Sequence, residues 1–455
     1  MAVLFPGMGD PNSNLTSSGQ AEGVPFLVRA LRHRNYRLFF GGQSVSLIGT
    51  WMTRIATGWL VYRLTGSAML LGLVGFAGQL PTFLLAPFAG VWVDRLDRHR
   101  VLLVTQVLAM LQSFALAALA LSGRITPWDI VWLNAFQGAI NAFDMPARQA
   151  FVVEMVTDRG DLSNAIALNS SMVNMARLVG PSIAGIIIAA VGEGYCFLID
   201  GISYIAVIVS LLMMQLVAAA PLRRGKNTLA DLKEGWQYVA GFTPVRDVLL
   251  LLCVASLMGM PYMVLMPIFA GSILHGGPHT LGFLMGATGV GALTGAVILA
   301  ARKSVLGLGR VIPLAAAVFG AGLIGFALSR WLWLSFVLMF MVGLGMMQQM
   351  ASSNTILQTI TPDDKRGRVM SYYTVAIVVM APFGSLFSGW LAARIGAPVA
   401  LAAGGACCLA AAGLFTLRLG RLRELVHPIY VQLGIVPEIA AGLNSAAVLT
   451  SAPEE

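Results

Sequence analysis

Residues 69–121 read MLLGLVGFAGQLPTFLLAPFAGVWV, then DRLDRHR, then VLLVTQVLAMLQSFALAALAL. Two apolar runs, 69–93 and 101–121, flank a link at 94–100 that holds five formal charges. A hydrocarbon core of roughly 30 Å is crossed by about 20 apolar residues in an α-helix. Either run is long enough, and lipid tolerates such a backbone only when its polar groups bond within the segment. The stretch therefore reads as a helical hairpin through a membrane, with its charged turn in water.

The rest of the chain repeats that pattern. Further apolar segments lie at 38–62, 128–151, 166–190 and 195–217, then at 248–274, 280–301, 310–329, 331–357, 369–394 and 397–419. Of 455 residues, 57% are hydrophobic and 11% charged, with a mean hydropathy of +0.80. These values exclude a water-soluble globule. The expected fold is all-α and integral to the membrane, with twelve transmembrane helices in two pseudo-symmetric six-helix bundles. Residues 1–25 read as a disordered N-terminal tail, 26–217 as the first bundle, 218–247 as a cytoplasmic linker, 248–419 as the second bundle, and 420–455 as a cytoplasmic tail. Within the linker, Leu229, Leu232, Trp236 and Val239 recur at helical spacing among charges, the pattern of an amphipathic helix on a membrane surface.

Charge fixes the orientation. With twelve spans, 23 of the 29 Lys and Arg fall on the side of the termini, four lie opposite, and Arg54 and Arg177 lie within spans. The positive-inside rule then places both termini in the cytoplasm and the protein in the cell's inner, cytoplasmic membrane. The net charge of +9 needs no nucleic acid to explain it. Cys196, Cys253, Cys407 and Cys408 all fall in apolar runs without metal-ligand spacing. The five histidines form no catalytic pattern, and no phosphate-binding loop, GxSxG or HExxH motif occurs. The expectation is no enzyme, no metal and no cofactor, with a monomer as the working unit.

The two sets of six spans echo one another. The exit of the fourth span, Pro146-Ala147-Arg148-Gln149 through Gly160, corresponds in place to that of the tenth, Asn354 through Arg366-Gly367-Arg368. Halves related by an axis along the membrane normal imply a site between them near the midplane, reached alternately from either side. Two motifs stand out. In the link between spans two and three, Gly90 permits close helix approach, and Asp94, Arg95 and Arg98 form either a charged contact or a plain solvated turn. In span five, Gly180-Pro181 and Gly185 combine a kink with small faces for a neighbour.

With these residues the sequence resembles the major facilitator superfamily. Gly90, Asp94, Arg95 and Arg98 are similar to its loop 2–3 signature, although Asp97 stands where a glycine is usual. Gly180, Pro181 and Gly185 resemble its antiporter-associated span-five signature. Arg34 to Phe39, Gly49-Thr50-Trp51-Met52, Leu64 to Ser67, Pro146 to Gln149, Phe197 to Tyr204 and Arg366-Gly367-Arg368 look like the enterobactin-exporter-like and macrolide-efflux-like branch. The resemblance covers about residues 26–425. It implies a cytoplasmic gate in which Asp94 locks against the start of span eleven near Val369–Ser371. The matching loop of the second half, Arg302 to Arg310, has no acidic residue.

A charge at a helix centre costs roughly 2.5–3.5 kcal/mol in lipid. Arg54, Asp144, Arg177 and Asp200 should therefore face a wet cavity or one another. Either Asp200 or Asp144 exchanges a proton, with Arg54 or Arg177 as charge partner, or these are structural ion pairs. Gln79, Asn134, Gln137, Asn141, Gln348 and Gln349 bond either a cargo or a neighbouring helix. Met339, Met341, Met346, Met347 and Met350 either fill the membrane core or line an adaptable pocket, and Pro261 and Pro267 break span seven, as a hinge or as simple kinks. The expected activity is proton-coupled export of a small amphiphilic molecule, a siderophore or drug-like compound, with cargo, protons and the lipid bilayer as partners. Proton-driven import of a polar nutrient, or a membrane-embedded protein that transports nothing, are the alternatives.

Overall fold

The computed structural model describes residues 26–93, 95–156, 158–215, 228–302, 304–433 and 435. The expected tail at 1–25, the start of the linker, most of the expected tail after 432, and Asp94 lie outside the described residues. The helices are α1 (Arg34–Thr65), α2 (Ala68–Val93), α3 (Arg98–Leu121), α4 (Pro127–Met155), α5 (Leu162–Val191), α6 (Glu193–Leu212) and α7 (Thr228–Gly241). They continue with α8 (Thr243–Ile273), α9 (Pro278–Ala300), α10 (Leu308–Leu328), α11 (Leu332–Ile360), α12 (Asp363–Ile395) and α13 (Ala397–Gln432).

Among the described residues ten helices are long and apolar enough to cross a membrane: α2, α3, α5, α6 and α8 to α13. The helices α1 and α4 are as long, at 32 and 29 residues, but carry too many polar groups to qualify. Both pack within the bundle, α1 against α5 and α6, and α4 against α2 and α3.

Local chemistry sets the boundaries. Asp97 caps α3 by accepting from the backbone N–H groups of His99 and Arg100 at 3.0 and 3.3 Å. Thr126 and Asp129 form a capping box at α4, with Pro127 in its first turn. A single glycine joins α5 to α6 and another joins α12 to α13. Gly192 has φ +93° and Gly396 has φ +86°, a region open to glycine and strained for other residues.

Two helices are irregular. In α8, π turns at 255–259 and 269–273 flank Pro261 and Pro267, and in α12 a π turn at 375–379 precedes Pro382. A proline ring clashes with the carbonyl one turn back, and a widened turn just before Pro261 and Pro382 relieves that clash. Of the two expected breaks in span seven, the first is found at Pro261, whereas Pro267 lies within regular α-helix and the second irregularity begins two residues after it. The last span departs from expectation: α13 runs on to Gln432, so 420–432 is helix rather than tail. Leu422 is buried there among exposed charges, which gives the extension an apolar side to pack. The linker helix α7 is also more than a surface helix, because it rests on α12 and α8. Trp236 meets Tyr372 with ring centroids 6.0 Å apart. Arg368 reaches Glu234 at 2.6 Å. The side chains of Leu229 and Leu232 lie outside the described residues.

The helices before residue 215 pack mainly on one another, as do those after 242, and the two sets meet along α2–α12 and α5–α9. Glycine makes both seams. A Cβ on Gly72 would sit 2.9 Å from Gly389 Cα, and one on Gly185 would sit 3.1 Å from Gly282 Cα. Tyr62 and Ser272 hydroxyls bond across the same side at 2.7 Å. Within the second set Gly291 and Gly343 bring α9 against α11, where a Cβ on Gly343 would collide with the Thr288 carbonyl and lie 3.0 Å from Ala292 N. Gly343→Val should therefore destabilise the protein by ~1–3 kcal/mol, the range for overpacked cores. A lowered midpoint of thermal unfolding in detergent checks this.

Candidate functional site

Between the two sets of helices lies a cavity of about 410 Å³. Its walls differ in chemistry. From α1 to α6 come Thr50, Trp51, Thr53, Arg54, Thr57, Gln79, Gln112, Asn134, Gln137, Asn141, Arg177, Asp200 and Tyr204, together with Leu71, Val74 and the glycines at 58, 75 and 78. From α8 and α12 come Met260, Met263, Val264, Ile377, Val378, Ala381 and Ser385. The first wall carries all of the charge and nearly all of the hydrogen-bonding groups, and the second is apolar except for one serine. The two helices that fail as spans by hydropathy, α1 and α4, supply much of the polar wall. Their polarity is thus answered by the cavity rather than by lipid.

Asp200 on α6 is 1% exposed. Its Oδ2 accepts from the hydroxyls of Thr53 at 2.8 Å and Ser113 at 2.9 Å. Its Oδ1 has no hydrogen-bond partner among the described residues. Gly49 on α1 makes room for it, because a Cβ there would stand 2.7 Å from that oxygen. Thr57 Oγ1 and Gln137 Oε1 on the same wall are likewise buried and unpartnered among the described residues. Asp200 forms no ion pair with Arg54 or Arg177 among the described residues.

The two arginines converge instead on Trp51, with Arg54 4.6 Å and Arg177 5.7 Å from the indole centre. Cations over an indole face are attracted by its quadrupole. Gly180 produces this arrangement: a Cβ on it would lie 2.6 Å from Trp51 Cβ, so α5 touches α1 there, and Arg177 one turn earlier reaches the ring. Gly185 turns the opposite side of α5 toward α9. The span-five motif thus has one face on α1 and one on a seam.

Asp144 is also buried, but it does not line the cavity. Arg148, one turn on, pairs with it, and Thr105 and Gln106 donate to its Oδ1 at 3.0 and 2.7 Å. Its cation is Arg148 rather than Arg54 or Arg177. Gln79 and Asn134 line the cavity while donating to the backbone of their own helices, whereas Gln348 bonds Gly295 across α9–α11 at 2.8 Å. Met339 and Met346 are buried in the core, and the cavity methionines are Met260 and Met263.

At the basic end, Gly90 faces open space and Arg95 is exposed. Arg98 donates to Glu154 at the end of α4 at 2.5 Å. Arg366 pairs with Asp363 at 2.5 Å, Gly367 meets nothing, and Arg368 holds α7. The 3-10 helix Phe26–Arg32 is fastened by Asp161, which meets Arg32 at 2.7 Å, His33 at 2.9 Å and Arg29 at 3.6 Å. Desolvation pushes the Asp161 carboxyl up, but the His33 hydrogen bond and the two arginines outweigh it and hold it below the usual range. On the opposite face Arg63 grips buried Glu193 with two bonds of 2.8 and 3.1 Å.

Similar proteins place this architecture. Relatives include a staphyloferrin A transporter of Staphylococcus aureus, 25% identical over 77% of this chain and 87% of that protein. Another is the multidrug efflux pump Tap of Mycolicibacterium fortuitum, 29% identical over 83% of this chain and 93% of that protein. Among solved structures, a bacterial homologue of the human lysosomal transporter Spinster, inward-facing and unoccupied, superimposes with a TM-score of 0.62. It is 12% identical and covers 90% of this chain and 98% of that one, a likeness of fold. Residues 28–427 match the family described as transmembrane secretion effector. The chain is a multi-pass membrane transporter and belongs to that family, within the efflux-like branch of the major facilitator superfamily.

Proposed function

We propose that this protein exports a small amphiphilic molecule, a siderophore or drug-like compound, by proton antiport through alternating access to the central cavity. The observation that carries the reading is the division of that cavity into a polar wall and an apolar wall. A cargo with one hydrogen-bonding face and one greasy face satisfies both, while a fully polar nutrient leaves Met260, Met263, Val264 and Ile377 unmatched. Names of relatives that move a siderophore or drugs point the same way.

In this reading twelve helices cross the membrane, α1 to α6 and α8 to α13 forming the two six-helix bundles, with the basic end and both termini in the cytoplasm. The glycine seams and the Tyr62–Ser272 bond close the outer side, which leaves the cavity to be loaded from the cytoplasm. Gly90, Asp94, Arg95 and Arg98 belong to the cytoplasmic gate, and Arg366, Gly367 and Arg368 to its counterpart beside α7. Asp200 is the proton carrier. Its free Oδ1 takes a proton arriving from outside or a donor group of cargo arriving from inside, and one excludes the other. Arg54, Trp51 and Arg177 form the cargo's docking surface. Asp144 is a structural ion pair, since both of its oxygens are already engaged, one of them by the Arg148 cation.

The two aspartates should then behave differently in vesicles with an imposed proton gradient. Asp200→Asn should lower gradient-driven flux on the order of a hundredfold, as loss of a proton-transfer group does, while leaving cargo exchange at equal pH. Asp144→Asn should keep coupled flux but lose on the order of 3 kcal/mol of stability, because it strands the Arg148 charge. Full coupled flux in the Asp200 variant sinks the assignment. Orientation is tested separately, by impermeant thiol labelling of single cysteines at positions 32 and 423. Both should react only from the cytoplasmic face, and opposite sidedness ends the twelve-span reading.

A further inference from the structure

A second cavity, of about 260 Å³, lies away from the central one, at the basic end of the C-terminal helices. It is enclosed by the starts of α8 and α10, the end of α11 and the long extension of α13. Its interior is apolar, built from Val248, Ile312, Ile356 and Phe415. Its lip carries Arg310, Arg423 and His427, all exposed. Asp247, the carboxylate of α8 at this end, is already taken by Arg246 at 3.2 Å and Arg418 at 3.4 Å. Among the described residues neither Arg310 nor Arg423 has an ion-pair partner.

A slot that is greasy within and cationic at its mouth fits a molecule with a hydrocarbon tail and an anionic head. A soluble anion would leave the apolar walls unmatched, and a neutral hydrocarbon would gain nothing from the two arginines at the mouth. The mouth also lies where membrane-crossing helices end, which is the level of lipid headgroups. We infer that this cavity binds an anionic phospholipid of the adjoining leaflet, one acyl chain against Phe415 and Ile356, its phosphate held by Arg310 and Arg423. Such a lipid joins four helices at their base, and the α13 extension is the wall that completes the slot. The site is independent of the cargo cavity and of how transport is energised.

The test uses the full chain in phosphatidylcholine nanodiscs containing a phosphatidylglycerol with a photoactivatable group on one acyl chain. Peptides bearing Ile356, Phe415 or Leu419 should carry the adduct, and unlabelled phosphatidylglycerol should compete where phosphatidylcholine does not. Replacing both arginines, Arg310→Gln with Arg423→Gln, should lower labelling on the order of tenfold or more, as expected for two basic groups beside an anionic headgroup. Leu419→Trp, which fills the slot and spares the lip, should lower it as well. Equal labelling by a phosphatidylcholine probe overturns the inference, as does labelling unaffected by the arginine changes. Labelling that appears only after removal of residues 436–455 also overturns it, since the chain's own tail would then fill the slot.

Discussion

A membrane core supplies no water to answer a charge, and this constraint organises the whole molecule. Each ionic group at membrane depth has been given company of a different kind. Asp144 has a cation one helical turn away and two further donors. Arg54 and Arg177 have an aromatic face. Asp200 has two hydroxyls and one oxygen left over. The first arrangement engages both carboxylate oxygens and the last leaves one without a partner among the described residues. Helices α1 and α4 are the most polar of the long ones, and they tolerate it because they border the cavity.

Close backbone approach is the second requirement. At both seams a glycine faces a glycine, and beside the α2–α12 contact Phe76 and Phe83 pack on Phe383 with ring centroids 5.9 and 6.3 Å apart. The small residues are what let the backbones of the two sets approach. The contrast with the interior of each set is informative, for there Phe319, Phe326, Phe151 and Phe197 are fully buried and fix their neighbours. Glycine contacts thus dominate where the two sets meet and large rings dominate inside each.

Most of the helical layout was legible in the sequence, because a run of about 20 apolar residues has few alternatives in a membrane. Expected and observed helices agree to within a few residues at most ends. The extension of α13 was missed because hydropathy stops at the lipid boundary while helix propensity does not. The Asp144–Arg148 pair, at i and i+4, was within reach of a sequence reading. Glu154 with Arg98, Glu193 with Arg63, and Asp161 with Arg32 were not, since their partners lie 56, 130 and about as many residues away. Trp51 belongs to the Gly49-Thr50-Trp51-Met52 stretch, but nothing one-dimensional marks it as the meeting point of two arginines. The apolar wall includes Met260 and Met263 of α8, whereas the denser methionine run at 339–350 belongs to α11.

The one-residue junctions at Gly192 and Gly396 have a mechanical meaning. A single residue spans at most about 3.6 Å, so α6 cannot travel far without towing α5, nor α13 without α12. At each seam one helix, α5 or α12, is thereby harnessed to the helix that follows it. Any parting of the seams must carry whole hairpins, which makes the hairpin rather than the single helix the smallest lever of the machine.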